Sequence, residues 1–149
     1  MLYDVVQAYF EVDNWRYCRV GEAPTLMLDI SGRNGHFTCY ARVREEEYQV
    51  IFYAVCPVNA PENKRHGISE FISRANFGLV IGNFEMDFDN GEIRYKTSID
   101  VEGGELTPPL MRNMVLVTIS MMDRYLPGIL HVIYGNKLPE DAVNLVEGG

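Results

Sequence analysis

The 149-residue chain is poor in the residues that announce chemistry. It has three cysteines, Cys18, Cys39 and Cys56, with no CxxC pair among them, which argues against both a disulfide framework and a zinc knuckle and leaves reduced, buried thiols as the expectation. Its three histidines, His36, His66 and His131, are far apart and none belongs to an HExxH motif, so each is read at a turn or on a helix rather than on a metal. There is no GxSxG elbow, GxGxxG fingerprint or Walker A loop. Basic charge is also scarce: 13 Lys and Arg stand against 21 Asp and Glu, a net charge of −8 that repels a phosphate backbone. The densest basic stretch, Lys64, Arg65, His66 and Arg74, shares its segment with Glu62 and Glu70 and reads as a solvated helix face. No nucleic-acid partner is expected.

Long apolar runs are missing too. Met114 to Met122 is the longest, and Asp123 and Arg124 close it well short of a bilayer span. The opening Met1-Leu2-Tyr3-Asp4 has no basic segment or apolar core of signal-peptide type, so the expected location is the cytoplasm, with no membrane partner. No cofactor and no metal is expected. The nearest thing to a cation loop, Glu85 to Glu92, fails the calcium-loop count: starting from Asp87, Gly91 falls fifth rather than sixth, and starting from Glu85, Lys96 occupies the closing position.

What is present is the pattern of one α+β domain spanning residues 1–149, with 47% apolar residues and no low-complexity or repeat segment. Leu2, Val5, Val6 and Tyr9 recur at helical spacing, with Asp4, Gln7 and Glu11 on the far side, giving a first helix to about Asp13. From Trp15 the period becomes two, and turn chemistry at Gly21–Pro24, Gly32–Gly35 and Arg44–Glu47 cuts four strands of an antiparallel meander. Its expected register sets Cys18 against Leu28, Ile30 against Phe37, Leu28 against Cys39, Val43 against Tyr48 and Cys39 against Phe52. A middle helix runs from about Pro61 to Asn76, with Glu70 four residues before Arg74.

The stretch Phe77–Val101 is expected to be a hairpin closed by Asn90-Gly91 as a two-residue type I′ turn. That turn places Met86 opposite Tyr95, Phe84 opposite Thr97 and Glu85 opposite Lys96, apolar on one face and charge-paired on the other. Thr107 is the expected N-cap of a long helix that Pro127 should kink or restart, and Pro139-Glu140-Asp141 begins a short final helix. The fold expected is therefore one antiparallel sheet with helices on one face, in the order helix, four strands, helix, two strands, helix, short helix.

Two surfaces carry more apolar area than a lone domain needs. The long helix has an apolar arc of roughly 200° at about 100° per residue, including Met111, Met114, Met121 and Met122. On the sheet face away from the core, Met27, Tyr40 and Ile51 are expected in one row, near Tyr17 and Tyr53. An isologous contact is the simplest way to cover such area, so a homodimer is expected, with the sheet row favoured. Binding of a protein partner follows as the leading function. A small-molecule or metal-dependent activity in a pocket hidden from sequence is the alternative.

Three segments also resemble a known family. Pro61-Glu62-Asn63-Lys64-Arg65 with Glu70–Leu79, then Gly82–Asp87 with Asp89–Lys96, then Met122–Ile129, resemble the YbjN-like family, and its cyanobacterial members in particular. The likeness covers the chain from Pro61 onward, and the first third agrees in element order. The family's name, bacterial sensory transduction regulators, implies a regulatory role rather than an enzyme. Its fold resembles that of type III secretion chaperones, small acidic dimeric proteins that bind other proteins, and this likeness supplies no catalytic or ligand residues.

Overall fold

The computed structural model describes residues 1–22 and 24–148. Helix α1 (Leu2–Val12) is followed by strands β1 (Cys18–Val20), β2 (Thr25–Ser31), β3 (His36–Arg44) and β4 (Gln49–Val55). Helix α2 (Arg65–Asn76), strands β5 (Asn83–Met86) and β6 (Ile93–Asp100), and helices α3 (Pro108–Ile133) and α4 (Pro139–Glu147) complete the chain. The six strands form one antiparallel sheet in the order β1-β2-β3-β4-β6-β5, and the element order is the one expected.

Period-two patterning sorts the strands into two faces. Leu26, Leu28, Ile30, Phe37, Cys39, Ala41, Val43, Val50, Phe52, Ala54, Phe84, Ile93 and Tyr95 are buried beneath the helices. α3 lies at the centre of that layer, against β4, β6 and the other three helices. Each fully buried side chain of Leu, Ile or Phe size contributes about 1.5–3 kcal/mol. The one polar pair in the core is satisfied: the Thr97 and Thr118 hydroxyls lie 2.9 Å apart, and Thr97 also reaches the Phe52 carbonyl at 3.2 Å.

Registers agree with expectation where loops are simple and depart where side chains shape the turn. β2 and β3 pair as expected, Ile30 with Phe37 and Leu28 with Cys39. β3 and β4 are shifted by two residues, with Val43 opposite Val50 and Tyr40 opposite Tyr53. The cause is a 3-10 turn over Glu45–Glu47 that ends with Tyr48 in the left-handed region at φ 57°, which lengthens β3 to Arg44. The Glu45 carboxylate is held there because it accepts the Leu2 and Tyr3 amides at 3.1 and 2.6 Å, capping α1, a helix whose own N-cap residue offers no side chain for the task.

β1 is displaced by one residue: Cys18 pairs with Met27, not Leu28. The odd shift turns Cys18 out of the core, so the expectation of three buried thiols is corrected to two, Cys39 and Cys56, with Cys18 exposed. All three are free. Burial pushes the Cys39 thiol up to about 12 and the Cys56 thiol to about 11, which keeps both protonated.

The β5–β6 hairpin is also two residues from expectation, pairing Met86 with Ile93, Phe84 with Tyr95 and Glu85 with Arg94. Asn90-Gly91 is not a two-residue turn. The loop spans Phe88–Gly91, closed by Asp87 N–H donating to Glu92 O at 2.9 Å and Gly91 N–H to Asp87 O at 2.7 Å. Asp87 and Asn90 side chains accept the Asp89 and Glu92 amides, each at 2.8 Å. Gly91 takes φ 80° and a Cβ there would meet the Ala60 carbonyl at 2.0 Å, so the turn is seated against the segment before α2. Because the shift is even, the face assignment survives. Phe77–Gly82, expected as strand, is instead a loop.

Pro127 neither breaks nor restarts α3, which runs unbroken for 26 residues. A proline removes the N–H that would serve the carbonyl four residues earlier, here Asp123. Asn34 replaces it from the β2–β3 loop: its side-chain amide donates to Asp123 O at 2.9 Å, and its own N–H donates to Asp123 Oδ1 at 2.8 Å. Gly32 makes room, since a Cβ would sit 2.3 Å from that carboxylate. The Thr107 N-cap is as expected, its hydroxyl accepting from the Leu110 amide at 3.4 Å.

Candidate functional site

The four helices of the described residues pack on the buried side of the sheet, and none of the described residues covers the other side. Its side chains are those at alternate strand positions: Thr25, Met27, Asp29, Thr38, Tyr40, Arg42, Ile51, Tyr53, Val55, Arg94, Lys96 and Ser98 are half-buried or exposed. The true register puts Met27, Tyr40, Tyr53 and Lys96 in one row across β2, β3, β4 and β6. Ile51 belongs to the next row, between Arg42 and Ser98.

The middle of this face is aromatic and cationic at once. Tyr40 and Tyr53 stack with ring centroids 5.2 Å apart and planes 25° from parallel. The Arg94 guanidinium sits 4.5 Å from the Tyr53 centroid, within cation–π range, while its Nε holds Glu92 Oε2 at 2.5 Å. Partial burial raises the Tyr53 hydroxyl above its ordinary range, with Arg94 pulling the other way, so it is a neutral donor at physiological pH. Lys96 pairs with Glu85 at 3.0 Å, and Gln49 bridges Arg44 and Asp100 at 2.8 and 3.0 Å. Two shallow concavities flank the stack. One of about 530 Å³ includes Asp29, His36, Thr38 and Tyr40, and one of about 270 Å³ includes Arg44, Ile51, Lys96 and Asp100.

The strands place Arg42, Arg44, Arg94 and Lys96 on this face against Asp29, Glu85 and Asp100, with Glu92 of the β5–β6 turn against Arg94. The face is close to neutral on a chain of net −8.

Of the residues expected at an interface, Met27, Tyr40, Ile51 and Tyr53 are on the open face. Tyr17 is not. The one-residue shift of β1 turns it under α1, where its ring is 6.0 Å from Phe10 and its hydroxyl donates to Glu11 at 2.7 Å. The long-helix surface is also corrected: Met111, Met114 and Met122 are buried in the chain's own core, and Met121 packs against it half-buried. Four neighbours consume the wide arc of α3, because α1, α2 and α4 wrap the sides that a sheet alone would leave bare.

Sequence spacing gives Lys96 only a charge-pair partner and Arg94 no interface role. Their alternation with buried Ile93, Tyr95 and Thr97 was the signal that they share the face of Tyr53. The basic residues of α2 are engaged locally: Arg74 pairs with Glu70 at 2.8 Å, and Arg65 donates to the Ala60 and Phe88 carbonyls, each at 3.1 Å. Among the described residues there is no group of three or more His, Cys, Asp and Glu able to hold a metal ion, and no helix long and apolar enough to cross a membrane.

This architecture defines a class: an acidic α+β domain whose antiparallel sheet is covered on one face and offers the other. Within that class the chain belongs to the YbjN family, described as "Putative bacterial sensory transduction regulator", matched over residues 2–131. The match takes in α1 and the meander as well as the segments from Pro61 on.

Among solved structures the chain is similar to E. coli YbjN, at 16% identity and a TM-score of 0.64, over 87% of this chain and 92% of that one. It is similar to the Yersinia pestis type III secretion chaperone SycH, solved with a fragment of YscM2, at 5% identity and a TM-score of 0.55 over 82% and 97%. A chain of the HopA1–SchA chaperone–effector complex matches at 12% identity and a TM-score of 0.52 over 81% and 90%. At these identities the likeness is one of fold, and it is the type III secretion chaperone-like fold expected. Nothing in these matches bears on the finer likeness to cyanobacterial members. No curated protein matches the chain.

Proposed function

We propose that this chain is a non-enzymatic regulatory or chaperone-like adaptor that acts by protein–protein binding, as a cytoplasmic homodimer joined through the open face of the sheet. The observation that carries this reading is a sheet of six strands with one face that no element among the described residues covers, centred on the Tyr40–Tyr53 stack. Strand spacing of about 4.8 Å and a rise of about 3.3 Å per residue make that face on the order of 600 Å² in projection, comparable to the roughly 800 Å² each partner gives to a stable interface. Charge selects the partner. Two copies that each carry −8 repel over most of their surface, but not where Arg42, Arg44, Arg94 and Lys96 balance Asp29, Glu85, Glu92 and Asp100.

The family description supports a regulatory role, and the complexes named above pair proteins of this fold with protein partners. The net acidity disfavours a role in contacting DNA directly.

Light scattering coupled to size exclusion tests the dimer. The expected result is a dimer that becomes a folded monomer in Tyr40→Glu with Tyr53→Glu. A monomer at high micromolar concentration overturns the reading, and a dimer that survives the double substitution moves the interface off this face. A thermal-shift screen with metals, nucleotides and common metabolites tests the competing small-molecule activity, because a specific ligand raises the melting temperature.

A further inference from the structure

A second surface is left open on the helical side. α1 turns Val6, Tyr9 and Phe10 into the core, but Val5, Ala8 and Val12 form another stripe at i, i+3 and i+7 spacing. Sequence spacing assigned Val5 to the buried side, yet it is 41% exposed and Val12 is 79% exposed. Across from them stand Thr107, Pro108, Met111 and Arg112 of the first turns of α3, and the two walls enclose an apolar groove of about 250 Å³ with Tyr9 and Asp13 at its inner edge. That is room for one or two aliphatic side chains.

Its rim is acidic. Asp4 and Glu11, both exposed, lie on α1 directly beside the Val5–Ala8–Val12 stripe, and Glu105 is exposed two residues before Thr107. Among the described residues lining the groove the cation is Arg112, 3.5 Å from Asp13, so that pair is neutral. On the rim Asp4 lies 3.8 Å from the Met1 ammonium in an exposed pair, which leaves Glu11 and Glu105 as the carboxylates with no ion-pair partner among the described residues. Asp13 is held ionised first by the hydrogen bond from the Tyr9 hydroxyl, 2.8 Å away, and further by Arg112.

We propose that this groove docks a basic amphipathic segment of a partner protein, its apolar side chains in the slot and its Lys or Arg side chains against Asp4, Glu11 and Glu105. A second copy of this chain is a poor occupant. Its most exposed apolar loop, with Phe77 91% and Val80 94% exposed, has no charged residue from Asn76 to Asn83 to meet the acidic rim. An anionic lipid surface is repelled by the same carboxylates. The proposal rests on the reading of the chain as a protein-binding adaptor, but not on the open sheet face.

The test is fluorescence anisotropy of a labelled helix-forming Leu/Lys peptide, with Leu at i, i+3, i+4 and i+7, against the full chain, beside a Leu/Glu peptide of the same pattern. The Leu/Lys peptide should bind roughly tenfold or more tighter, and weaken with salt. Ala8→Trp, which fills the slot from an exposed position, should cost roughly tenfold in affinity. Asp4→Lys with Glu11→Lys should also weaken binding and remove most of its salt dependence. Tyr40→Glu with Tyr53→Glu should leave the peptide affinity unchanged, so that failure of the sheet-face dimer and failure of this site are told apart. Equal binding of the two peptides, or binding untouched by Ala8→Trp, overturns the proposal. So does a dimer mass that Ala8→Trp abolishes, which would give the groove to a second copy.

Discussion

The hairpins β2–β3 and β5–β6 look alike in sequence, each an alternating pair of strands around a glycine-rich turn, yet one pairs as its spacing implies and the other does not. In β2–β3 the four residues Gly32–Gly35 are all loop, β2 ends at Ser31 and β3 begins at His36, and register follows from counting. In β5–β6 the strongest turn dipeptide, Asn90-Gly91, is only half of a four-residue loop. Asp87 and Asn90 cap the loop's amides, and Arg65 and Ala60 hold it from outside. Both loops are tied to a helix or to its approach, through Asn34 to α3 and through Arg65 to α2. What differs is whether the tie changes how many residues the turn consumes. A dipeptide preference is worth only a fraction of what several hydrogen bonds and a packed glycine supply together.

Substitutions can widen or close this contrast. The largest effect is expected for Phe84→Ala in β5. The ring is buried, lies 4.8 Å from Tyr95 and 5.3 Å from Tyr125 between centroids, and its loss should cost about 3 kcal/mol or more by chemical denaturation.

Asn34→Ala in the β2–β3 loop comes next, at about 1 kcal/mol, because it removes the hydrogen bond that replaces the donor Pro127 lacks, at an exposed site where water takes over in part. In a Pro127→Ala background the residue-127 N–H returns, and the cost of Asn34→Ala should fall by on the order of 1 kcal/mol. Additivity of the two changes would refute that account of the unbroken helix. Asn76→Ala should cost about 1 kcal/mol. Its amide accepts from Phe84 N–H at 2.7 Å and donates to Phe84 O at 3.0 Å, closing the free edge of β5, so the variant should also aggregate more readily than the parent when followed by light scattering.

A pH dependence separates the helical layer that both hairpins lean on. Burial first, and then the 2.6 Å hydrogen bond to Glu147, push the Tyr125 hydroxyl from its ordinary value of 10.0 up to about 12. A raised folded-state value means the stabilisation is complete below pH 10 and is lost as the pH rises toward about 12. Tyr125→Phe should make the melting temperature fall less steeply with pH in that window, the rest of the slope coming from Tyr9 and the two buried thiols. An unchanged slope would show that Tyr125 does not titrate there. The smallest effect is expected for Glu85→Lys, under about 1 kcal/mol, since its ion pair with Lys96 is partly exposed. Equal losses for Phe84→Ala and Glu85→Lys would show the two faces of the hairpin to be assigned wrongly.

Much of the fold could be read from patterning because it depends on periodicity, which is local. Alternation assigned the strands and, wherever the register slipped by an even number, the correct face as well. Helical spacing and the cap at Thr107 placed α1, α2, α3 and α4 in order. The open-face candidates Met27, Tyr40, Ile51 and Tyr53 were legible for the same reason: side-chain direction in a strand depends on residue parity, not on the partner strand. Tyr17 and Cys18 were misplaced because β1 is short and its shift is odd.

What only the tertiary structure decided is which apolar surfaces are spent and which are spare. The methionines of α3 and the stripe Val5, Ala8 and Val12 are equally apolar in sequence, and nothing local distinguishes them. The first set is covered because α1, α2 and α4 converge on α3, and the second is bare because α1 packs through Val6, Tyr9 and Phe10, leaving a groove between the stripe and the first turns of α3. Burial is a property of neighbours far apart in the chain, so periodicity can say that a face is apolar, but only the packing of the helices says whether anything in the chain is left to cover it.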